Sequence, residues 1–155
     1  MEIAIANLNR IRTIKGLTYN DLAHITGYSK NSIQKLLSYN NEGKSRLDIL
    51  IAVCTALDID FPSIFKRGFG DYDSKREHLH YGSNTDVRTE YYLRKFINRV
   101  YTENKNFTNF HLKTISGLSE STISDLLNFK TKNPRVETLI KIAKGLDIPV
   151  EEMFR

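Results

Sequence analysis

The sequence predicts an all-α protein built from two copies of one small helical domain. Three observations carry that expectation: apolar residues recur at helical spacing in both halves, the halves repeat each other about ninety positions apart, and residues that cap and end helices stand at matching places in each copy. The length agrees, since 155 residues, 40% of them hydrophobic and 26% charged, suffice for one ordinary core or two small ones.

The repeat can be followed residue by residue. Leu8-Asn9-Arg10-Ile11 returns as Ile97-Asn98-Arg99-Val100, and a threonine opens the next block of each half, Thr18 and Thr108. Leu22, Gly27, Ser29, Ile33, Leu36 and Leu37 recur ninety positions on as Leu112, Gly117, Ser119, Ile123, Leu126 and Leu127. The offset then slips by one, so that Leu50, Leu57, Asp58, Ile59 and Phe65 return as Leu139, Leu146, Asp147, Ile148 and Phe154. Each slip falls in an expected loop, where a change of length costs little.

Within a copy, the elements follow from spacing and punctuation. Asp86 to Tyr101 reads as a long first helix of the second copy, with Leu93, Phe96, Ile97 and Val100 on its apolar side and Val87, Tyr91, Arg94 and Asn98 on another stripe. Thr18 and Thr108 can cap a helix with one inward leucine, Gly27 and Gly117 suit its left-handed end, and Ser29 and Ser119 can cap a further helix with an inward Ile and Leu. That is a helix, a tight turn and a helix. Val136, Leu139, Ile140, Ile142, Ala143 and Leu146 then form one face of a fourth helix, for which Pro134 suits the start, and Leu47, Leu50, Val53, Cys54 and Leu57 show the same face in the first copy. Cys54 aligns with Ala143 and reads as a buried spacer, because no His or basic neighbour is placed to activate the thiol. The boundaries drawn are 3–65 and 86–155 for the domains, with a linker over 66–85 that holds Gly68, Gly70, Gly82, Ser74 and Ser83. Phe69, Tyr72 and Tyr81 are unusual in a free linker, so part of it is expected to pack against the domains.

The stretch from Thr18 to Leu37, with its counterpart from Thr108 to Leu127, resembles the lambda-repressor and Cro (XRE) helix-turn-helix family. The second copy is the closer match, through Gly117-Leu-Ser-Glu-Ser-Thr-Ile-Ser-Asp-Leu-Leu-Asn128, then Lys130, Asn133-Pro134-Arg135 and Thr138-Leu139-Ile140-Lys141-Ile142-Ala143. The first copy departs from the pattern: Ser38-Tyr39-Asn40-Asn41 stands where Asn-Gly is common, and no proline precedes its fourth helix. The resemblance implies two lambda-repressor-like domains of five short helices each, forming an internal pseudo-dimer. In each, the third helix would enter the major groove of double-stranded DNA while the second lies across the phosphates.

Site residues carry over position by position. The first two helical residues after the capping serine, and the sixth, would face base edges, which selects Lys30, Asn31 and Lys35 in the first copy and Glu120, Ser121 and Asp125 in the second. Asn can bond adenine in a bidentate manner and Lys can donate to guanine, whereas the carboxylates would accept from cytosine N4 against the field of nearby phosphates. Phosphate contacts are expected from Thr18, Tyr19, Thr108 and Asn109 and from basic loops holding Lys44 and Arg46 or Lys130, Lys132 and Arg135. Tyr39 and Phe129 follow the two recognition helices and suit either packing or stacking on DNA. A flexible linker of about twenty residues has a root-mean-square span near 25 Å and extends to about twice that, enough for half-sites about 34 Å apart.

Composition adds weak support and several exclusions. The formal net charge is +5, and residues 93–155 carry eleven Lys or Arg against seven Asp or Glu, while residues 1–65 carry seven against six. No apolar run is long enough to span a bilayer and the amino terminus lacks a signal-peptide pattern, which predicts a cytoplasmic protein with no membrane partner. The single cysteine leaves neither a disulfide nor a thiolate metal site, His78 and His80 have no clear third ligand, and Arg67-Gly68-Phe69-Gly70 only mimics an RNA-binding signature because Asp71 follows. No nucleophile and base pair or nucleotide fingerprint is present, so neither enzymatic activity nor a cofactor is expected. The expected function is a sequence-specific repressor or regulator of bacterial, phage or mobile-element type. Two alternatives stand beside it: an accessory factor at an origin of replication or conjugative transfer, and a protein-interaction module or antirepressor that keeps the fold. The chain would act either as a monomer resembling a dimer or as a homodimer.

Overall fold

The local code is read out first in the short helices of the amino-terminal half. In the computed structural model, which describes residues 1–69, 84–103 and 108–155, α1 (Glu2–Ile14) buries Ala4, Ile5, Leu8 and Ile11 and carries Glu2 at its positive end. α2 (Tyr19–Thr26) opens with a capping box: Thr18 Oγ1 accepts from Asp21 N at 3.1 Å, and Asp21 Oδ2 accepts from Thr18 N at 2.8 Å. It ends at Gly27, whose φ of 77° is a conformation that favours glycine, and α3 (Lys30–Leu36) starts three residues later under a Ser29 cap. α4 (Leu47–Ala56) is buried over most of its surface, and a 3₁₀ turn, Pro62–Phe65, closes the copy.

The second half repeats the order with α5 (Thr85–Glu103), α6 (Asn109–Ser116), α7 (Glu120–Leu127), α8 (Val136–Gly145) and α9 (Val150–Met153). Thr108 and Ser119 cap α6 and α7 as expected, while His111 stands where Asp21 completes the box in the first copy. Two details go beyond the sequence reading. The fifth short helix of the first copy is a single 3₁₀ turn begun by Pro62. Pro134 lies before the N-cap of α8, outside the helix, where its carbonyl is used by the other half. One connected apolar cluster draws on both halves. The expected linker over 66–85 lies mostly outside the described residues, as do Gly70, Tyr72, Tyr81, His78 and His80. Where that segment begins, Phe69 is buried and its carbonyl accepts from Arg10. Cys54 is buried like Ala143, and burial pushes its thiol pKa up.

The joint between the halves follows from a local deficit. Arg46 and Arg135 occupy the N-cap positions of α4 and α8, and neither side chain caps its helix, so each helix starts with orphan N–H groups. Each half supplies what the other lacks. Leu47 N donates to Pro134 O and Val136 N to Ser45 O, both at 3.0 Å, which makes Arg46 and Arg135 an isolated antiparallel bridge. Glu137 N donates to Gly43 O at 2.8 Å, and Asp48 N to Asn133 Oδ1 at 3.1 Å. The partners are repeat equivalents: Arg46 and Arg135, Leu47 and Val136, and Ser45 and Pro134 each differ by eighty-nine positions. At the far side, equivalent Phe65 and Phe154 stack at 6.1 Å, and Phe154 also meets Phe61 at 4.8 Å and Phe96 at 5.3 Å. Arg155 closes the contact on the buried Asp60 carboxylate at 3.1 Å.

Gly43 tests this joint. Its φ is +80°, and a Cβ there would lie 3.0 Å from the Glu137 backbone nitrogen, an atom of the other half. Gly43→Ala is therefore expected to lower stability by about 1–3 kcal/mol, combining left-handed strain with a backbone clash. Gly27→Ala, with the same handedness and open space around it, should cost less in the same denaturant titration.

Candidate nucleic-acid interface

The recognition helices expose the faces that the repeat assigns to them. On α3 the inward Ile33 and Leu36 are fully buried, which leaves Lys30, Asn31, Gln34 and Lys35 exposed on the outer side. On α7 the inward Ile123, Leu126 and Leu127 leave Glu120 and Ser121 exposed and Asp125 half-buried, with the Asp125 carbonyl accepting from Lys130 N and Thr131 N. Each copy thus brings its three expected base-facing residues to one helix. The faces differ in sign: two ammonium groups and an amide on α3, two carboxylates and a hydroxyl on α7. Gln34, exposed beside Lys30 and Lys35, was missed by the sequence reading, although its one-turn spacing from Lys30 was the available signal.

The expected phosphate side is organised by the caps. Thr18, Thr108 and Asn109 are exposed at the starts of α2 and α6, and the hydroxyls of Thr18 and Thr108 are engaged in capping. Tyr19 is half-buried with the Arg12 guanidinium 4.6 Å from its ring centroid, which places a cation beside the start of α2. Asp21 is held below its ordinary pKa by the hydrogen bonds from Thr18. Equivalent positions again diverge, for Phe110 stands exposed where the first copy has Asn20.

The basic loops flank the joint. Lys44, Arg46, Lys130, Lys132 and Arg135 are all exposed. An open recess of about 550 Å³ runs from Ser32 and Lys35 of α3 to Lys44 and Arg46, with Tyr28 and Asp48 in its wall. Tyr28 Oη donates to Asp48 Oδ2 at 2.8 Å, and burial followed by this bond pushes the phenol pKa up. Glu137 is held below its usual pKa by its hydrogen bond to Lys141 and by the charges of Lys141, Arg135 and Lys44, a sign of the positive potential around the joint. Tyr39 is 65% exposed, whereas Phe129 is half-buried under the Arg94 guanidinium, 4.2 Å from its centroid. Only the tyrosine therefore remains open for stacking on a ligand.

A family model described as the Cro/C1-type helix-turn-helix DNA-binding domain matches residues 7–67, and a helix-turn-helix family model matches residues 112–153. The chain carries two tandem helix-turn-helix domains of the Cro/C1 type. The match to the first domain runs from within α1 through the 3₁₀ turn, and the match to the second runs from within α6 to the end of α9. No curated protein and no solved structure matches the chain. The tandem helix-turn-helix protein is a DNA-binding protein of the transcription-regulator kind, an activity such domains perform without catalysis. No described helix is long and apolar enough to cross a membrane, and no group of three His, Cys, Asp or Glu among the described residues is placed to hold a metal ion.

Proposed function

We propose that the tandem helix-turn-helix protein is a sequence-specific transcriptional repressor or regulator that binds double-stranded DNA as a single-chain pseudo-dimer, one recognition helix to each half-site. The observation that carries this reading is the pairing of equivalent residues across the joint, Arg46 on Arg135 and Phe65 on Phe154. A surface that meets its own repeat is the signature of a two-fold interface, here within one chain. Such an axis would hand the two recognition helices to successive half-sites of an imperfect palindrome.

In this reading Lys30, Asn31 and Lys35 read one half-site, with Lys suited to guanine and Asn to adenine, while Glu120, Ser121 and Asp125 read the other. Thr18, Tyr19, Thr108 and Asn109 lie along the backbone, and Lys44, Arg46, Lys130, Lys132 and Arg135 supply positive charge. A second reading rests on the acidic face of α7: that helix would serve a basic protein partner and leave DNA to α3.

Selection of duplexes from a random pool tests both. The pseudo-dimer should enrich two unequal half-sites about one helical turn apart. If the five loop cations all meet phosphate, the logarithm of affinity should fall against the logarithm of salt with a slope of about −4.5. Enrichment of a single half-site, insensitive to Glu120→Ala and Ser121→Ala, would favour the second reading, and no enrichment would refute sequence-specific binding.

A further inference from the structure

We propose that Tyr28 and Asp48 of the first copy and Asn133 of the second form a strut between the two recognition helices, which makes the protein selective for the number of base pairs between its half-sites. The inference rests on the pseudo-dimer reading above and assigns these three side chains as positioning residues. The strut begins at the entrance to α3, where Tyr28 directly precedes the Ser29 cap. The Tyr28 hydroxyl donates at 2.8 Å to Oδ2 of Asp48, in the first turn of α4. Asp48 N donates in turn to Asn133 Oδ1 at 3.1 Å, a bond into the other half, and Arg46 Nη1 holds the same residue by donating to Asn133 O at 2.8 Å. Asn133 lies in the loop between α7 and α8. The start of that loop is fixed to α7 by Lys130 N and Thr131 N, which donate to Asp125 O at 2.8 and 3.0 Å. Polar bonds thus connect the entrance of α3 to the last turn of α7.

Burial gives these bonds their weight. Tyr28, Asp48 and Asn133 are all half-buried, so water competes less for their polar atoms than on an open surface, and deleting one partner leaves the other unsatisfied. The second copy lacks the device. Leu118 stands where the first copy has Tyr28, and Glu137, the equivalent of Asp48, pairs with Lys141 at 2.9 Å on its own helix. The strut is therefore a one-sided addition to a joint that the backbone bonds and the Phe65 and Phe154 contact already close. Removing it should leave the halves assembled and loosen α3 relative to α7. One base pair more or less between half-sites moves the second by about 3.4 Å and turns it by about 34° around the duplex. A joint that yields absorbs this change, whereas a braced one rejects it.

The test uses the full chain and three duplexes that carry the selected half-sites at the selected spacing, one base pair closer and one base pair farther apart. The intact protein should bind the selected spacing about tenfold tighter than either alternative. Tyr28→Phe and Asn133→Ala should each reduce that ratio to about threefold or less. Combining the two should reduce it no further, because both break the same strut. Asp48→Asn, whose amide can still bond to the Tyr28 hydroxyl, should keep the ratio of the parent. Lys30→Ala with Lys35→Ala should weaken all three duplexes in parallel, and a loss of folded protein would do the same, so neither mimics a change of ratio. A flat response of the intact protein to spacing, or a ratio that survives in Tyr28→Phe and Asn133→Ala, would overturn the proposal while leaving the half-site reading intact. Failure to enrich any half-site pair would overturn both.

Discussion

Replacing Phe154 with alanine is expected to destabilise the whole protein by about 3–5 kcal/mol, the cost of removing a large ring from a core that cannot collapse around the gap. The ring is 2% exposed and touches Phe61 and Phe65 from the first copy as well as Tyr92 and Phe96 from the second. Against a total stability of about 5–15 kcal/mol, a loss of this size should lower the melting temperature by roughly 10 °C or more. Because the ring joins the two copies, thermal unfolding followed by circular dichroism should remain one transition. Two transitions, with only the later copy shifted, would show that the copies unfold independently and that the joint is weak.

Replacing Lys30 and Lys35 together with alanine should weaken binding to the selected operator by about 100-fold or more, since a well-placed base contact is worth about 1–3 kcal/mol. Both side chains are exposed on α3, so the loss should come without a matching loss of stability. The manner of the loss separates roles. Base readers relax specificity at their own positions, while phosphate contacts weaken all sequences alike and reduce the salt slope by about one each. A variant that binds its operator as tightly as the parent would remove α3 from the interface.

Much of this architecture was legible in the sequence because it is local. Thr18, Ser29, Thr108 and Ser119 announced their helices by chemistry that acts within three residues, and Gly27 and Gly117 announced the turns by backbone freedom. The family resemblance selected Lys30, Asn31, Lys35, Glu120 and Ser121, and all five are exposed. What could not be read was long-range. Arg46 and Arg135 look like poor starts for α4 and α8 until the opposite loop is seen to supply the missing acceptors, and the Asn133 contacts to Arg46 and Asp48 span more than eighty residues. Tyr39 and Phe129 hold equivalent places, yet their exposure differs because Arg94 of the longer α5 covers only the phenylalanine. Pattern alone cannot distinguish them.

The shared core also bears on arithmetic. Regulators whose two heads are separate molecules must first associate, so their occupancy of an operator falls faster than their concentration when the protein becomes scarce. Phe154 and the paired loops join the two halves in one folded body, and in the proposed pseudo-dimer the second head would arrive with the first at an effective concentration set by the fold rather than by copy number. Occupancy should therefore follow a simple hyperbola down to a few molecules per cell, a response suited to graded control rather than to a sharp threshold.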